Sequence, residues 1–443
     1  MHEWLKMTAA ELGRGIGAGE IDPIDLTGCY LDAIDAHPLR DRIYAEVTHD
    51  RALAEAEAAS KRAKLDLRRS ALDGVPISWK DLFDSAGTRT EAGSDLLKGR
   101  VPERDARVLE SATSMGTVCL GKTHMSELAF SGLGLNPVKA TPPCVSNEGA
   151  VPGGSSSGAA ASVAFGLAAC GIGSDTGGSV RIPSAWNNLV GLKTTSGRIS
   201  LEGVVPLCLK FDTVGPLARS VEDAGLMLGL MEGTNGPDLR NPPTLKGRRF
   251  ADLRTIARDD LEPGVAAAHV ETLGKLKAAG AEIVPLEVPQ LQEAMDLSAI
   301  LYTTEAYGLW KDVIESSPEV MFAEILERFR AGAQFSGPDY VAAWAKLEQC
   351  RMVWDQAVSG FDGVLTPTCP ILPPNMDRLE KDRDYYVKAN LLTLRNTRIG
   401  NLMGLCALTL PTGKASCGLQ ILGQPDCEEA LLRIGAGVEA VLL

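Results

Sequence analysis

Short apolar runs typical of β-strands alternate with stretches of helical periodicity from residue 74 onwards. The two kinds of segment include the apolar runs 75–79, 117–120 and 168–172 and the helical stretches 105–115 and 157–166. Strands and helices in alternation are typical of α/β folds, in which helices cover both faces of a sheet. The alternation therefore predicts an α/β fold for most of the chain.

The N-terminal part has a different character, because residues 8–60 follow a helical pattern throughout. Thr8 is suited to cap a first helix, and Asp22 followed by Pro23 is typical of the start of a second. We therefore expect residues 1–72 to form a helical segment that packs against the rest of the protein.

The best candidate for an internal linker within residues 73–443 is the polar, proline-rich stretch 234–247. Beyond it, residues 265–280 and 427–443 have helical patterns, whereas residues 281–288 read as a strand. Spacing alone leaves open whether the stretch 234–247 separates two domains or crosses one sheet.

Composition and charge exclude several classes of function. Of the 443 residues, 45% are hydrophobic and 23% are charged, which is typical of a globular protein with a sizeable core. The net charge of −13 argues against a nucleic-acid-binding surface, which needs clustered basic residues. The most apolar stretch, residues 158–173, is shorter than the roughly 20 residues that span a bilayer, so we expect no membrane association.

The cysteines and histidines indicate neither a disulfide framework nor a metal site. The 10 cysteines contain no CxxC pair, and the 5 histidines form no HExxH motif. Residues 1–15 lack the apolar core of a secretory signal. We therefore expect reduced thiols, a cytoplasmic location and no metal site.

Two short motifs are typical of other enzymes. Residues 116–123 match the pattern GxxxxGK[ST] of a phosphate-binding loop, but the intervening Thr-Val-Cys-Leu reads as a strand, so this pattern supports an ATPase only weakly. Residues 154–158 match the GxSxG motif of α/β-hydrolases, but a loop rather than a strand precedes them. The only later histidine, His269, has no evident acid partner in the sequence.

Lys80 is a candidate base for a serine nucleophile, because a serine hydroxyl reacts poorly until a neighbouring group takes its proton. It follows the apolar run 75–79, which we expect to be a central strand. Burial would lower its pKa and leave a neutral amine able to accept a proton. The local sequence also fits a structural lysine that extends from the strand end to solvent, and by itself favours that interpretation.

Longer motifs resemble the amidase signature family of serine hydrolases. The resemblance is carried by GVPISWKDLFDSAGTRTEAGS at 74–94, by PGGSSSGAAASVAFGLAACGIGSDTGGSVRIPSAWNNLVGLKTTSGRIS at 152–200 and by FDTVGPLARSVEDA at 211–224. Later segments such as FDGVLTPTCP, NLMGLCALTLP and GLQILGQP extend it over nearly the whole chain. It implies that residues 73–443 form a single large domain, with a three-layer α/β/α fold around a large central mixed β-sheet of about ten or more strands.

The resemblance also implies a catalytic triad of Lys80, Ser155 and Ser179. Lys80, in the motif PISWKD, corresponds to the base of the family. Ser155, the first serine of GGSSSG, corresponds to a serine that follows a cis peptide bond and relays the proton. Ser179, the last residue of SDTGGS, corresponds to the nucleophile.

Further site residues follow from the same resemblance. The backbone N–H groups expected to form the oxyanion hole belong to Thr176, Gly177, Gly178 and Ser179. The residues expected to support the site by hydrogen bonds are Ser156, Asp175 and Arg181. Asp175 could instead be a turn or cap residue, and Arg181 could either brace the network or meet an acidic group of the substrate.

Phe130 and Ser131 belong to a loop that by resemblance lines the acyl pocket, although an ordinary packed loop fits the sequence equally well. The rest of the pocket is expected mostly from the region 250–388, which carries no motif for a particular amide. Two positions depart from the family pattern. Ser157 stands where many members have glycine, and Trp79 stands where a smaller residue is common.

The activity implied by the resemblance is that of an amidase, which hydrolyses a carboxylic amide through an acyl-enzyme and needs no cofactor. The expected partner is a small-molecule amide, and the expected assembly is a homodimer formed near the N-terminal helices.

Two alternatives remain. One is the glutaminase-type subunit of a tRNA-dependent amidotransferase. Such chains usually carry Tyr-Gly-Arg-Val followed by a Ser-Arg-Tyr-Gly-like segment, whereas residues 196–204 here read SGRISLEGV. The other is a non-catalytic binding protein on the same scaffold, against which the intact Lys80, Ser155 and Ser179 argue.

Overall fold

One mixed sheet of eleven strands runs through the protein, in a computed structural model that describes residues 3–442. In chain order the strands are β1 Tyr44–Val47, β2 Pro76–Lys80, β3 Val118–Thr123, β4 Cys170–Ser174, β5 Val190–Lys193, β6 Val214–Ala218, β7 Arg249–Leu253, β8 Glu282–Leu286, β9 Gly363–Pro367, β10 Ala407–Pro411 and β11 Gly418–Leu422. Their order in the sheet is β1-β3-β2-β4-β6-β5-β10-β11-β9-β7-β8.

Sixteen α-helices accompany the strands between residues 3 and 442. They are α1 Ala9–Gly17, α2 Pro23–Ala36, α3 Arg40–Ile43, α4 His49–Lys64, α5 Arg107–Ser114, α6 Ser157–Ala164, α7 Arg181–Trp186, α8 Val221–Glu232, α9 Pro263–Ala278, α10 Gln290–Asp296, α11 Ser298–Ser316, α12 Ala323–Arg330, α13 Gly337–Val358, α14 Met376–Lys381, α15 Arg383–Leu402 and α16 Glu428–Leu442. The predicted three-layer α/β/α architecture is confirmed.

Parallel pairing in one part of the sheet positions the site. β2 lies between β3 and β4 and is parallel to both. Because parallel strands place their carboxyl ends at the same edge of a sheet, Lys80 at the end of β2 lies beside Ser174 at the end of β4. β7 is likewise parallel to β8 and β9, whereas the other neighbouring pairs are antiparallel.

The segments predicted from periodicity agree with the structure to within a few residues. The three apolar runs correspond to β2, β3 and β4, and the two helical stretches correspond to α5 and α6. Every residue of these three strands is buried, including the polar Lys80 of β2 and Lys122 of β3.

The N-terminal segment is helical except at one place. Thr8 caps α1, and Asp22 caps α2 ahead of Pro23, as predicted. The prediction of a helical pattern throughout residues 8–60 is wrong at residues 44–47, which form β1. This strand pairs antiparallel with β3 at the edge of the sheet, so tertiary pairing overrides the local helical pattern.

The stretch 234–247 contains no helix or strand and connects α8 to β7. The strands that follow it join the same sheet as those that precede it. The later helix and strand patterns are confirmed as α9, β8 and α16. The division into residues 1–72 and 73–443 stays a prediction, and its two terminal positions, like His2, lie outside the described residues. No helix between residues 3 and 442 is long and apolar enough to cross a membrane.

Candidate active site

Lys80 is fully buried at the carboxyl end of β2. Its Nζ lies 2.7 Å from Oγ of Ser155 and 2.8 Å from Oγ of Ser174, the last residue of β4. The solvent-exposed lysine that the local sequence favours is therefore wrong. The parallel pairing of β2 and β4 instead brings the amine to two buried hydroxyls.

Burial lowers the pKa of Lys80 from 10.5 to about 7, because the ammonium loses its hydration. The negative charges of Asp212 and Asp175 raise this pKa, but they offset only part of the effect of burial. A substantial fraction of the side chain is therefore a neutral amine near neutral pH, and a neutral amine can accept a proton.

Ser155 is fully buried, and the peptide bond that precedes it, between Gly154 and Ser155, is cis. The next residue, Ser156, donates its N–H to the carbonyl oxygen of Ser179 at 3.2 Å. The Ser156 hydroxyl donates to the carbonyl oxygen of Ser174, also at 3.2 Å. Ser156 thus joins the loop of Ser155 to the turn that carries Ser179 and to the end of β4, which is a supporting position.

Ser179 lies in the turn between β4 and α7 and borders a small cavity. Within residues 3–442 its Oγ has no hydrogen-bond partner, Ser155 Oγ included. The backbone hydrogen bond from Ser156 holds the two serine loops next to each other.

Asp175 and Arg181 form a fully buried ion pair beside Ser179. Arg181 donates to the two carboxylate oxygens of Asp175 from Nε at 3.0 Å and from Nη2 at 2.8 Å. Its other hydrogen bonds go to oxygens of Thr397, Gln420 and Asn401. Since a guanidinium has five N–H donors, none is left for a substrate. Arg181 therefore supports the hydrogen-bond network around Asp175 and is not available to an acidic group of the substrate.

Asp175 also caps the turn that carries Ser179. Burial raises its pKa, but the charge of Arg181 and several hydrogen bonds outweigh burial and hold it well below its ordinary value. The ionised carboxylate accepts hydrogen bonds from the N–H groups of Gly178 at 2.8 Å and Val180 at 3.1 Å. Asp175 therefore has both of the roles that the sequence suggested as alternatives, because it caps the turn and also belongs to the supporting hydrogen-bond network.

The expected oxyanion hole is only partly available. Since the Gly178 N–H donates to Asp175, its assignment to the oxyanion hole is wrong. The N–H groups of Thr176, Gly177 and Ser179 have no acceptor among residues 3–442. These three remain candidates to stabilise an oxyanion.

Two side chains from the C-terminal half of the protein donate hydrogen bonds to the turn that carries these N–H groups. The Tyr302 hydroxyl donates to the carbonyl oxygen of Thr176 at 3.0 Å, and Thr397 Oγ1 donates to that of Gly177 at 2.8 Å. A Cβ on Gly178, whose φ is +141°, would lie 2.1 Å from Thr397 Oγ1. Only glycine therefore fits at this position.

Phe130 and Ser131 line the cavity that Ser179 borders. The Ser131 hydroxyl donates to Oδ1 of Asn390 at 3.2 Å and accepts from the Tyr386 hydroxyl at 3.1 Å, which fixes it against α15. The cavity has a volume of about 20 Å³, room for about one water molecule. Two wider depressions elsewhere on the protein include none of the three triad residues.

Sequence reasoning missed several residues around the triad and the cavity. They are Ser174, Leu207, Asp212, Tyr302, Arg328, Leu394 and Arg398. Ser174 and Asp212 lie inside the family-like motifs and could have been noticed there. Leu394 and Arg398 lie on α15, beyond the region 250–388 where the pocket was expected. No local pattern marks them, because only the packing of distant helices brings them to the cavity.

The two competing motifs form no part of this site. Residues 117–120 run into β3, as predicted, and Lys122 is buried with its Nζ 3.4 Å from an oxygen of Asp81. Contrary to expectation, His269 does have an acid partner, Asp252, at 3.2 Å, but neither residue lines the cavity that Ser179 borders. No group of three or more His, Cys, Asp or Glu residues between residues 3 and 442 is arranged to hold a metal ion.

The two departures from the family pattern leave the site intact. Trp79 packs edge-on against Phe83, with ring centroids 5.4 Å apart. Because successive side chains of a strand point to opposite faces, Trp79 lies away from Lys80. Ser157 begins α6 and donates its hydroxyl to the carbonyl oxygen of His124 at 3.2 Å.

A family model, curated relatives and a solved structure that resemble this chain all point to the same family. The family model described as Amidase matches residues 25–432. The chain is 34% identical to 2-amino-5-chloromuconic acid deaminase of Comamonas testosteroni, over 98% of this chain and 97% of that one. It is 30% identical to a glutamyl-tRNA(Gln) amidotransferase subunit of Chloroflexus aggregans, over 100% and 97% respectively. A solved structure described as an amidase superimposes with a TM-score of 0.88 at 30% identity, covering 99% of this chain and 100% of that one.

Proposed function

The chain belongs to the amidase family, and from this we propose that it hydrolyses a carboxylic amide through an acyl-enzyme on Ser179, with Lys80 as the base and Ser155 as the proton relay. The observation that carries this assignment is the buried contact of 2.7 Å between Lys80 Nζ and Ser155 Oγ. The lowered pKa of Lys80, about 7, supports it, because the base must be neutral before it can accept a proton.

Acylation begins when Ser179 Oγ attacks the amide carbonyl carbon. The Ser179 proton passes to Ser155, and the Ser155 proton passes to Lys80. The carbon–nitrogen bond then breaks, and the proton on Lys80 returns through Ser155 to the leaving nitrogen. Ammonia or an amine departs, and an ester to Ser179 remains.

Deacylation repeats the sequence with water as the nucleophile. Water attacks the ester carbonyl, its proton reaches Lys80 through Ser155, and the proton returns to Ser179 as the acid leaves. In both halves the carbonyl oxygen becomes negative. In this proposal the N–H groups of Thr176, Gly177 and Ser179, which have no backbone acceptor among residues 3–442, stabilise that charge, and one such donor typically contributes about 3–4 kcal/mol.

We propose a stand-alone amidase rather than one chain of an amidotransferase complex. The alignment with the deaminase runs over 450 residues, close to the 443 of this chain. The alignments with amidotransferase subunits run over 479 and 483 residues, so they contain more gapped positions. In the stretch 196–204, where the amidotransferase motif is absent, Arg198 forms ion pairs with Glu232, Glu428 and Glu429 of the same chain.

The experiment is to incubate the purified protein with a fluorophosphonate probe, locate the modified residue by mass spectrometry and screen amides for release of ammonia or amine. Labelling of Ser179 together with amide hydrolysis by the isolated chain is the expected result. Hydrolysis of glutamine only in the presence of a partner protein would indicate the amidotransferase alternative. Failure to label Ser179 and to hydrolyse any amide would indicate a non-catalytic binding protein.

A cytoplasmic homodimer completes the proposal. Cys119, Cys170, Cys208 and Cys406 are examples of buried free thiols, which suit a reducing compartment. The dimer would form near the N-terminal helices. The molecular mass in solution, measured by light scattering, tests the assembly, and a monomeric mass at micromolar concentration would overturn it.

A further inference from the structure

Two arginine side chains line the same cavity as Ser179. Arg328 comes from α12, and Arg398 comes from α15. Arg398 is 8% exposed, and Arg328 is partly buried. Both arginines therefore border the same cavity as the proposed nucleophile.

Neither arginine has a carboxylate partner among residues 3–442. Arg328 Nη1 donates to the carbonyl oxygen of Phe130 at 3.0 Å, and its guanidinium lies 4.4 Å from the centre of the Phe130 ring. The guanidinium of Arg398 lies 5.9 Å from the centre of the Tyr302 ring and makes no hydrogen bond to a described residue. The charged neighbour of Arg328 is Arg398 itself, and burial together with this charge lowers the pKa of Arg328 to about 10.

This arrangement contrasts with that of Arg181. That side chain, also near Ser179, directs its hydrogen bonds to Asp175, Asn401, Thr397 and Gln420. The charge of the structural arginine, Arg181, is thus neutralised by the carboxylate of Asp175. A buried cation without an opposite charge is unfavourable, so two of them at one cavity point to an anion that comes from outside the chain.

We infer that the substrate of this amidase is an amide whose acyl part carries a carboxylate, bound by Arg328 and Arg398. This inference rests on the proposed function, because it assumes that the cavity beside Ser179 receives the acyl group. A guanidinium presents paired N–H donors that match the two oxygens of a carboxylate.

The test compares kcat/KM for succinamate with that for its neutral matches, butyramide and the methyl ester of succinamate. One lost charge-assisted hydrogen bond corresponds to roughly tenfold to 100-fold, so we expect at least that preference for the anion. Arg328→Met and Arg398→Met are expected to lower kcat/KM for succinamate by a similar factor more than they lower kcat/KM for butyramide. Arg330→Met, on the same helix as Arg328 but exposed and paired with Glu315, is the matched control.

The two hypotheses fail in different ways. If neutral amides are hydrolysed as well as succinamate, or if the Met variants lose both activities equally, the carboxylate site is wrong while the amidase mechanism stands. If no amide is hydrolysed and the fluorophosphonate does not label Ser179, the proposed function itself is wrong. The comparison of substrates with the unaltered protein decides the question even if a Met variant does not fold.

Discussion

Lys80 Nζ and Ser155 Oγ lie 2.7 Å apart, and both side chains are fully buried. Because burial lowers the pKa of Lys80 to about 7 and only the neutral amine can accept a proton, acylation should be slow below pH 7. The rate should rise through a single ionisation near pH 7 and reach a plateau in the alkaline range. The measurement is the pH dependence of acylation by single-turnover kinetics.

Variants of these two residues sharpen the test. Lys80→Arg should be nearly inactive, because a guanidinium stays protonated at any pH at which the protein is folded. Lys80→Ala should lose more activity than Ser155→Ala, because a water molecule can take the place of a relay hydroxyl but not of the base. A Lys80→Arg variant with the parental rate and profile would show that the base lies elsewhere.

The stability of the protein should also depend on Lys80. Its pKa is about 7 in the folded state and near 10.5 when unfolded, so between these values the unfolded chain binds more protons. The contribution of Lys80 therefore raises the free energy of unfolding as the pH increases from about 7 towards 10.5. Subtracting the pH profile of Lys80→Met from that of the parent, by urea unfolding, isolates this rise. A flat difference would contradict the lowered pKa.

Ser179→Ala should abolish turnover and leave the fold intact, because Ser179 Oγ makes no hydrogen bond to another residue between 3 and 442. Thermal melting checks the fold, and fluorophosphonate labelling with single-turnover kinetics checks the nucleophile. Ser157→Ala is the control, since the Ser157 hydroxyl bonds to the carbonyl of His124. Burst-phase acylation in Ser179→Ala would show that another residue is the nucleophile, with Ser156 as the first candidate.

Arg181→Met should destabilise the protein strongly, because it leaves the carboxylate of Asp175 buried and unpaired. Breaking a buried pair in this way typically costs about 3–5 kcal/mol. Urea unfolding measures the loss. Arg240→Met breaks the exposed pair with Asp238 and should change the free energy of unfolding very little. Equal effects of the two substitutions would show that the buried network is not specifically stabilising.

Chelators should not affect activity. The proposed reaction uses only serine, lysine and backbone groups, and no group of metal-ligating side chains between residues 3 and 442 has a suitable arrangement. Activity is measured after dialysis against EDTA and again after addition of Zn²⁺ or Mg²⁺. Loss of activity that a divalent ion restores would contradict the proposed mechanism.

Local sequence determined much of the architecture. The mostly apolar runs at β2, β3 and β4 form strands that are buried along their whole length. The caps at Thr8 and Asp22 bond to backbone N–H groups two or three residues further along the chain. The long family-like motifs identified Lys80, Ser155 and Ser179 as candidates. Each of these inferences depends on interactions between near neighbours in the chain or on a contiguous motif.

Tertiary structure decided what depends on distant neighbours. β1 is a strand because the edge of β3 pairs with it, and Gly178 loses its expected role because Asp175 takes its N–H. Lys80 is buried rather than exposed because parallel pairing places the ends of β2 and β4 together. Arg328 and Arg398 meet at the cavity only when α12 and α15 pack against the turn of Ser179. Burial and unpaired charge arise from packing between remote segments, and local sequence patterns do not report them.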